Sequence, residues 1–268
     1  MNNNAKKLDQ FYTNNDVAKY CYNELLNVIK KQNINIKNAV WLEPSAGNGA
    51  FYSIMPEPKL GIDIDPKIDN IIKHDFFTYD LPKANYITLG NPPFGKNSSL
   101  AIKFFNRCAE KSEIIAFIVP KTFRKDSVKN KLNLNMELIE ECEIKDFSFN
   151  IEGKIVSVPC VFQIWKKVPY LRNKIKSLKL VDGLFFCNKE NADIAFQRVG
   201  VNAGAIKTKE KFSTIAEASH LFIKLDDLKD IELLKNIDWS EIKYNTAGNP
   251  SISKSELIKK YIQKKHII

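Results

Sequence analysis

The chain has 268 residues, of which 44% are hydrophobic and 27% charged. Those proportions exclude wholesale disorder and collagen-like or coiled-coil fibres, and the length supplies a core without disulfide or metal support. Lys and Arg number 41 against 31 Asp and Glu, a formal charge of +10, which points either to a polyanionic partner or to a Lys-rich solvated surface.

The charge is uneven. Residues 166–268 carry 20 basic and 12 acidic side chains, whereas residues 1–165 carry 21 and 19. The longest clear apolar run, Ile114 to Val119, is far short of the about 20 residues of a membrane span. The polar start Met1 to Lys7 lacks the apolar stretch of a secretion signal. A cytoplasmic protein with no membrane partner is the expectation. Cys21, Cys108, Cys142, Cys160 and Cys187 form no C-x-x-C pair, and His74, His220 and His266 lie far apart. Free thiols and no metal site are expected.

In chain order, Asn14, Asn15 and Asp16 offer caps to a helix whose apolar face is Val17, Tyr20, Cys21, Leu25, Val28 and Ile29. Ala39 to Leu42 reads as a buried strand entering the turn Glu43-Pro44-Ser45-Ala46-Gly47-Asn48-Gly49. Strands are expected at Leu60–Asp63, Ile71–Asp75 and Tyr86–Leu89, a helix at about Ser98–Cys108, and a fifth strand at Ile114–Val119. Leu138–Phe149 and Ile155–Trp165 read as a late pair separated by Gly153. Apolar strands alternating with helices predict a mostly parallel sheet covered on both faces, with its ligand crevice outside the carboxyl ends of the strands. After Trp165 the pattern weakens. A hairpin over Leu178–Phe186, helices over Leu228–Leu234 and Lys254–Ile262, and turns at Gly183, Gly200, Gly204 and Gly248 are expected there.

The special residues cluster at the predicted crevice. A strand followed by G-x-G, here Gly47 and Gly49, lets another molecule approach the backbone, although Tyr52 breaks the full dinucleotide fingerprint. Asp63 suits two ribose hydroxyls; the alternative is a helix cap. Asp75 with Phe76 suits an adenine amine and ring; the alternative is a loop aspartate. Asn91-Pro92-Pro93-Phe94 is the sharpest feature. An exocyclic adenine amine is a poor nucleophile until both its hydrogens are accepted. The Asn91 amide oxygen and the Pro92 carbonyl offer two acceptors, proline rigidifies the loop, and an aromatic at 94 can stack on an extruded base. An ordinary Pro-Pro turn is the plainer reading. Lys121-Thr122-Phe123-Arg124-Lys125 and the alternating Lys207, Lys209 and Lys211 are either nucleic-acid contacts or solvated surface.

Taken together, Glu43–Gly49, Gly61-Ile62-Asp63-Ile64-Asp65-Pro66, His74-Asp75-Phe76 and Leu89–Phe94 resemble the ordered motifs of S-adenosylmethionine-dependent amino-methyltransferases. The resemblance is to the N6-adenine DNA methyltransferases of the gamma class. Gln10-Phe11-Tyr12-Thr13 is similar to that class's N-terminal cofactor motif. The resemblance implies a class I, Rossmann-like α/β fold with a mostly parallel seven-stranded sheet, helices on both faces and a small C-terminal mixed α/β region. It implies S-adenosylmethionine as cofactor, held by Tyr12, Thr13, Glu43, Pro44, Ser45, Ala46, Gly47, Gly49, Asp63, Ile64, Asp75, Phe76 and Asn91. It implies catalysis by Asn91, Pro92, Pro93 and Phe94 without metal or covalent intermediate. Lys96, Lys121, Phe123, Arg124, Lys125, Lys207, Lys209 and Lys211 become candidate nucleic-acid contacts. A catalytic domain over 1–168 and a basic target-recognition region over 169–268 are expected, with DNA preferred to RNA. RNA adenine, a protein glutamine amide, and a non-catalytic nucleic-acid-binding role are the other readings of the same residues.

Overall fold

In the computed structural model, residues 12–144, 149–151, 154–156, 159–246 and 248–266 are described. The chain divides into two compact units, Met1–Lys174 and Ile175–Ile268.

The first unit opens with strand β1 (Tyr12–Thr13) and helix α1 (Asn15–Lys31). Asn14 caps α1 by accepting from Asp16 N at 2.8 Å, and Ala18, Cys21, Leu25, Val28 and Ile29 form its buried face. Strands β2 (Val40–Glu43), β3 (Lys59–Asp63), β4 (Ile72–Lys73) and β5 (Tyr86–Gly90) follow. Helix α2 (Ser99–Ala109), strand β6 (Ser112–Pro120), the short helix α3 (Asp126–Lys129) and strand β7 (Met136–Glu143) come next. Strands β8 (Phe149–Ile151), β9 (Lys154–Val156) and β10 (Cys160–Lys167) complete the unit.

Seven strands form one sheet in the order β4-β3-β2-β5-β6-β10-β7. The pairings β4–β3, β3–β2, β2–β5 and β5–β6 are parallel, and β10 runs antiparallel to both neighbours. This is the class I, Rossmann-like sheet expected. Every residue of β5 and eight of the nine in β6 are buried, so both faces of the central strands are covered. Trp41, Leu42, Phe105, Phe117, Phe162 and Trp165 anchor the core.

Two expected strands need correction. Phe149 and Ile155 do not extend the late pair. They belong to β8 and β9, which join β1 in a separate three-stranded sheet with Tyr12 opposite Asn150 and Thr13 opposite Phe149. Only β7 and β10 pair across the main sheet. Gln10, Phe11 and Gly153 lie outside the described residues. Beyond β10, Val168 N donates to Asn135 O (2.8 Å) and Arg172 Nε to Met136 O (3.0 Å), so this segment still packs on the first unit.

The second unit contains strands β11 (Leu184–Phe186), β12 (Ile194–Gln197), β13 (Ile206–Thr208) and β14 (His220–Leu225), and helices α4 (Asp230–Lys235), α5 (Ser240–Lys243) and α6 (Lys254–Lys265). Its antiparallel sheet has the order β11-β14-β12-β13. Ile194, Phe196, Ile223, Leu234, Trp239 and Tyr261 form its core. The expected hairpin over Leu178–Phe186 is reduced to a tight turn, bridged at Val181 and Leu184 around Gly183 (φ 84°), because β11 pairs with β14 instead. Ser253 and Glu256 form a capping box at the start of α6. Among the described residues no helix is long and apolar enough to cross a membrane.

Candidate active site

The sheet reverses its build direction at β2, which has β3 on one side and β5 on the other. The carboxyl ends of these strands therefore border the switch-point crevice. A Cβ on Gly90 would lie 3.5 Å from Glu43 Cγ, so the two loops that leave β2 and β5 adjoin.

The turn after β2 depends on its glycines. Gly47 and Gly49 sit at φ 49° and 75°, and a Cβ on Gly49 would come within 2.4 Å of Ile68 Cδ1. Both conditions demand glycine. A Cβ on Gly47 would lie 3.1 Å from the Tyr12 ring, so β1 lays an aromatic ring against the turn. Asp63, at the end of β3, accepts Gly47 N at 2.7 Å through Oδ2 and Asp65 N at 2.7 Å through Oδ1. It clamps the turn while each oxygen keeps a further lone pair. Burial raises the Tyr12 hydroxyl above its usual pKa, with Lys67 opposing and Asp63 and Asp65 adding to the rise. Tyr12, Gly47, Asp63 and Lys67 thus share one neighbourhood. Ile64, next along the chain, is 55% exposed.

Glu43 ends β2 inside the protein. Its Oε2 is buried and has no hydrogen-bond partner among the described residues. Burial pushes its carboxyl well above the usual carboxylate range, with the Tyr52 backbone N–H opposing that rise and Asp63 adding to it. A raised folded-state pKa means stability is fully present below the unfolded pKa and declines as pH rises towards the folded value. Glu43→Gln removes that decline. Above about pH 5 the variant should melt higher than the parent by about 2–4 °C. Near pH 4 the two should coincide. Thermal unfolding at both pH values checks this, and a pH-independent difference would contradict it.

The loop after β5 holds Asn91 against β1. Asn91 Nδ2 donates to Thr13 Oγ1 at 3.2 Å, and Ser45 Oγ donates to the Asn91 carbonyl at 3.4 Å. With the amide nitrogen turned to Thr13, Oδ1 is the acceptor end of the side chain. Residues 95–98 then turn tightly: Gly95, Asn97 and Ser98 have φ of 68°, 54° and 62°. Two non-glycine residues in the left-handed region mark a strained loop held by its surroundings. The holding contact is Ser98 Oγ to Thr122 Oγ1, 2.6 Å. Sequence alone gives Ser98 as a helix start and Thr122 as part of the run Lys121–Lys125, and does not pair them. Their spacing of 24 residues carries no motif, and only the juxtaposition of the loops after β5 and β6 reveals the pair.

Several expected site residues stand elsewhere. The Phe94 ring packs in the main core, 7% exposed, so it offers no open face to a base. Phe76 is likewise buried, stacked on Phe104 at 5.5 Å. Asp75 is exposed and accepts Phe77 N at 2.9 Å, the loop-aspartate arrangement. Phe123 is fully buried and cannot reach a ligand. Lys121 and Arg124 are engaged by Glu143 and Glu141 on β7 rather than forming a free basic loop. Lys125 closes the same turn through its N–H to Thr122 O at 3.0 Å. Lys96 is exposed within the strained loop. Lys207, Lys209 and Lys211 do not alternate along one strand. β13 ends at Thr208, Lys209 and Lys211 lie on a 3-10 turn, and Lys209 pairs with Asp193 at 3.7 Å.

A class I, Rossmann-like sheet carries, at its switch point, a glycine turn clamped by an acidic residue and an Asn-Pro-Pro-Phe loop. No protein-family model and no curated protein matches the chain. Among solved structures, a candidate RNA methyltransferase from Pyrococcus horikoshii is 16% identical, with a TM-score of 0.47, covering 60% of this chain and 88% of that one. A Thermoplasma acidophilum protein is 19% identical, with a TM-score of 0.42, covering 59% and 89%. TYW2 of M. jannaschii, in complex with AdoMet, is 16% identical, with a TM-score of 0.32, covering 54% and 76%.

Proposed function

We propose that this chain is an S-adenosylmethionine-dependent methyltransferase acting on the exocyclic N6 amine of adenine in DNA. One observation carries the reading. Three segments remote in sequence, Tyr12–Thr13, Gly47–Asp63 and Asn91, are joined by direct contacts at the carboxyl edge of the sheet.

The residues present fit the cofactor. Exposed Ile64 offers an apolar face beside the Asp63 carboxylate, and the buried Oε2 of Glu43 is a polar atom with no partner among the described residues. Tyr12, Thr13, the turn 43–49, Asp63 and Ile64 would hold it, whereas the Phe76 ring would have to leave its stack on Phe104. When bound, the cofactor supplies a methyl group on a positively charged sulfur. The protein's part is to orient the amine and accept hydrogen bonds from both its hydrogens, one of which leaves as a proton to water once the nitrogen carries the methyl group. Asn91 Oδ1 and the Pro92 carbonyl accept the two amine hydrogens, which localises the lone pair on nitrogen. The hydrogen bond from Asn91 Nδ2 to Thr13 Oγ1 ties the Asn91 side chain to β1.

The Ser98–Thr122 contact gives the loop its stiffness. Thr122→Val removes the hydroxyl at nearly constant volume. It is expected to lower kcat about tenfold, the loss of roughly one hydrogen bond's worth of preorganisation, with KM for the cofactor unchanged. Thr122→Ser should restore the rate. Equal loss in both variants would make the contact irrelevant to turnover.

The reading is tested by offering labelled S-adenosylmethionine with duplex DNA, single-stranded DNA and total RNA in separate reactions. Label in DNA is expected. Label in RNA alone would keep the chemistry and change the substrate.

A further inference from the structure

The turn Lys121–Arg124 leaves β6 at the carboxyl edge and is fastened to the Asn91 loop through Ser98 and Thr122. Its two cations converge on one side chain. Lys121 Nζ lies 3.0 Å from Glu143 Oε2, and Arg124 Nη2 lies 2.5 Å from Glu143 Oε1. Arg124 Nε also reaches Glu141 Oε1 at 2.8 Å.

The two carboxylates differ in kind. Glu141 is 23% exposed and accepts Gln163 Nε2 at 2.6 Å, while Gln163 Oε1 accepts Trp165 Nε1 at 3.1 Å. That chain ties Arg124 into the sheet. Glu143 is the last residue of β7, and its side chain is 59% exposed. It holds two cations at the surface. One anion held between an arginine N–H and a lysine ammonium is an arrangement that phosphate recognition also uses.

We propose that Glu143 is an internal stand-in for a substrate phosphate: nucleic-acid binding exchanges its carboxylate for a backbone phosphodiester on Lys121 and Arg124. This rests on the reading of the substrate as nucleic acid. The exchange costs little because the carboxylate end is 59% exposed and open to screening by water and salt, although Lys121 and Arg124 are each only 25% exposed. The released carboxylate swings into solvent, and the phosphodiester restores the same single negative charge between the same donors. Glu141 keeps Arg124 in place throughout. Glu143 would thereby weaken indiscriminate polyanion binding until a strand sits correctly beside the Asn91 loop.

Fluorescence anisotropy with a labelled DNA duplex across a salt series tests the exchange. Glu143→Gln should bind about tenfold tighter at low salt, with a log–log salt slope steeper by about one, because no displaced carboxylate recaptures a counterion. Glu137→Gln is the control. Glu137 lies on the same strand, is exposed, and accepts Tyr170 Oη at 2.8 Å, so it removes equal charge away from the turn. In a Lys121→Met background the tightening from Glu143→Gln should shrink but stay above the Glu137→Gln level, because Arg124 is still held by Glu143. Equal effects of Glu143→Gln and Glu137→Gln, or full tightening in the Lys121→Met background, would overturn the exchange. Methyl transfer measured on the same proteins separates the two claims. A wild type that methylates DNA while Glu143→Gln matches its control sinks only the exchange. Absence of both binding and transfer sinks the underlying reading with it.

Discussion

Replacing Asn91 by alanine is expected to lower the rate of methyl transfer by at least about 10²–10³-fold, the loss seen when one preorganised polar group of a reacting site is removed. Alanine deletes the Oδ1 acceptor, and the Pro92 carbonyl alone cannot accept hydrogen bonds from both amine hydrogens. Cofactor affinity, measured by isothermal titration, should change little, because the turn 43–49 and its Asp63 clamp are untouched. One ambiguity is built into the geometry, since Asn91 also donates to Thr13 Oγ1. Thr13→Val resolves it, because it breaks the same bond and leaves the acceptor in place. If Thr13→Val lost as much turnover as Asn91→Ala, the role of Asn91 would be to hold β1 rather than to accept from substrate.

Asp63→Ala should have its effect on the cofactor instead. The carboxylate holds Gly47 N and Asp65 N, both at 2.7 Å. Hydrogen bonds to a charged acceptor contribute about 1.5–3 kcal/mol each. Losing both frees the glycine turn from β3 and removes the candidate ribose contact. The expected result is a dissociation constant for S-adenosylmethionine weaker by about 10²-fold. Asp63→Asn can accept one of the two N–H groups and should fall between. Unchanged affinity in Asp63→Ala, with a normal melting curve, would move the cofactor away from this crevice.

Much of this site was legible because its parts are backbone demands. Gly47 and Gly49 need positive φ, Asp63 ends a strand whose neighbour is the turn, and Asn91-Pro92-Pro93 stops β5 where the sheet opens. Such requirements leave marks in local sequence. Aromatic residues were read less well. Phe76, Phe94 and Phe123 were each placed against a ligand, yet each fills the core. A phenyl ring packs equally well on a base or on Phe104, and one-dimensional sequence does not distinguish them. The partners of the charged residues are hidden for a related reason. Lys121 and Arg124 look free in the run Lys121–Lys125, but Glu141 and Glu143 neutralise them from a strand paired elsewhere in the sheet. The hairpin β8–β9 was absorbed into its flanking strands because its partner, β1, lies some 140 residues earlier. Long-range pairing of short strands leaves no local period to read.

The central claim is that the crevice at the ends of β2, β3 and β5 methylates adenine at N6. It is tested most directly by incubating wild type and Asn91→Ala with S-adenosylmethionine and duplex DNA, digesting to nucleosides, and quantifying N6-methyldeoxyadenosine by mass spectrometry. The account predicts the modified nucleoside from wild type and its near absence from Asn91→Ala. Equal amounts from both proteins, or methyl groups recovered only on another base or atom, would contradict it.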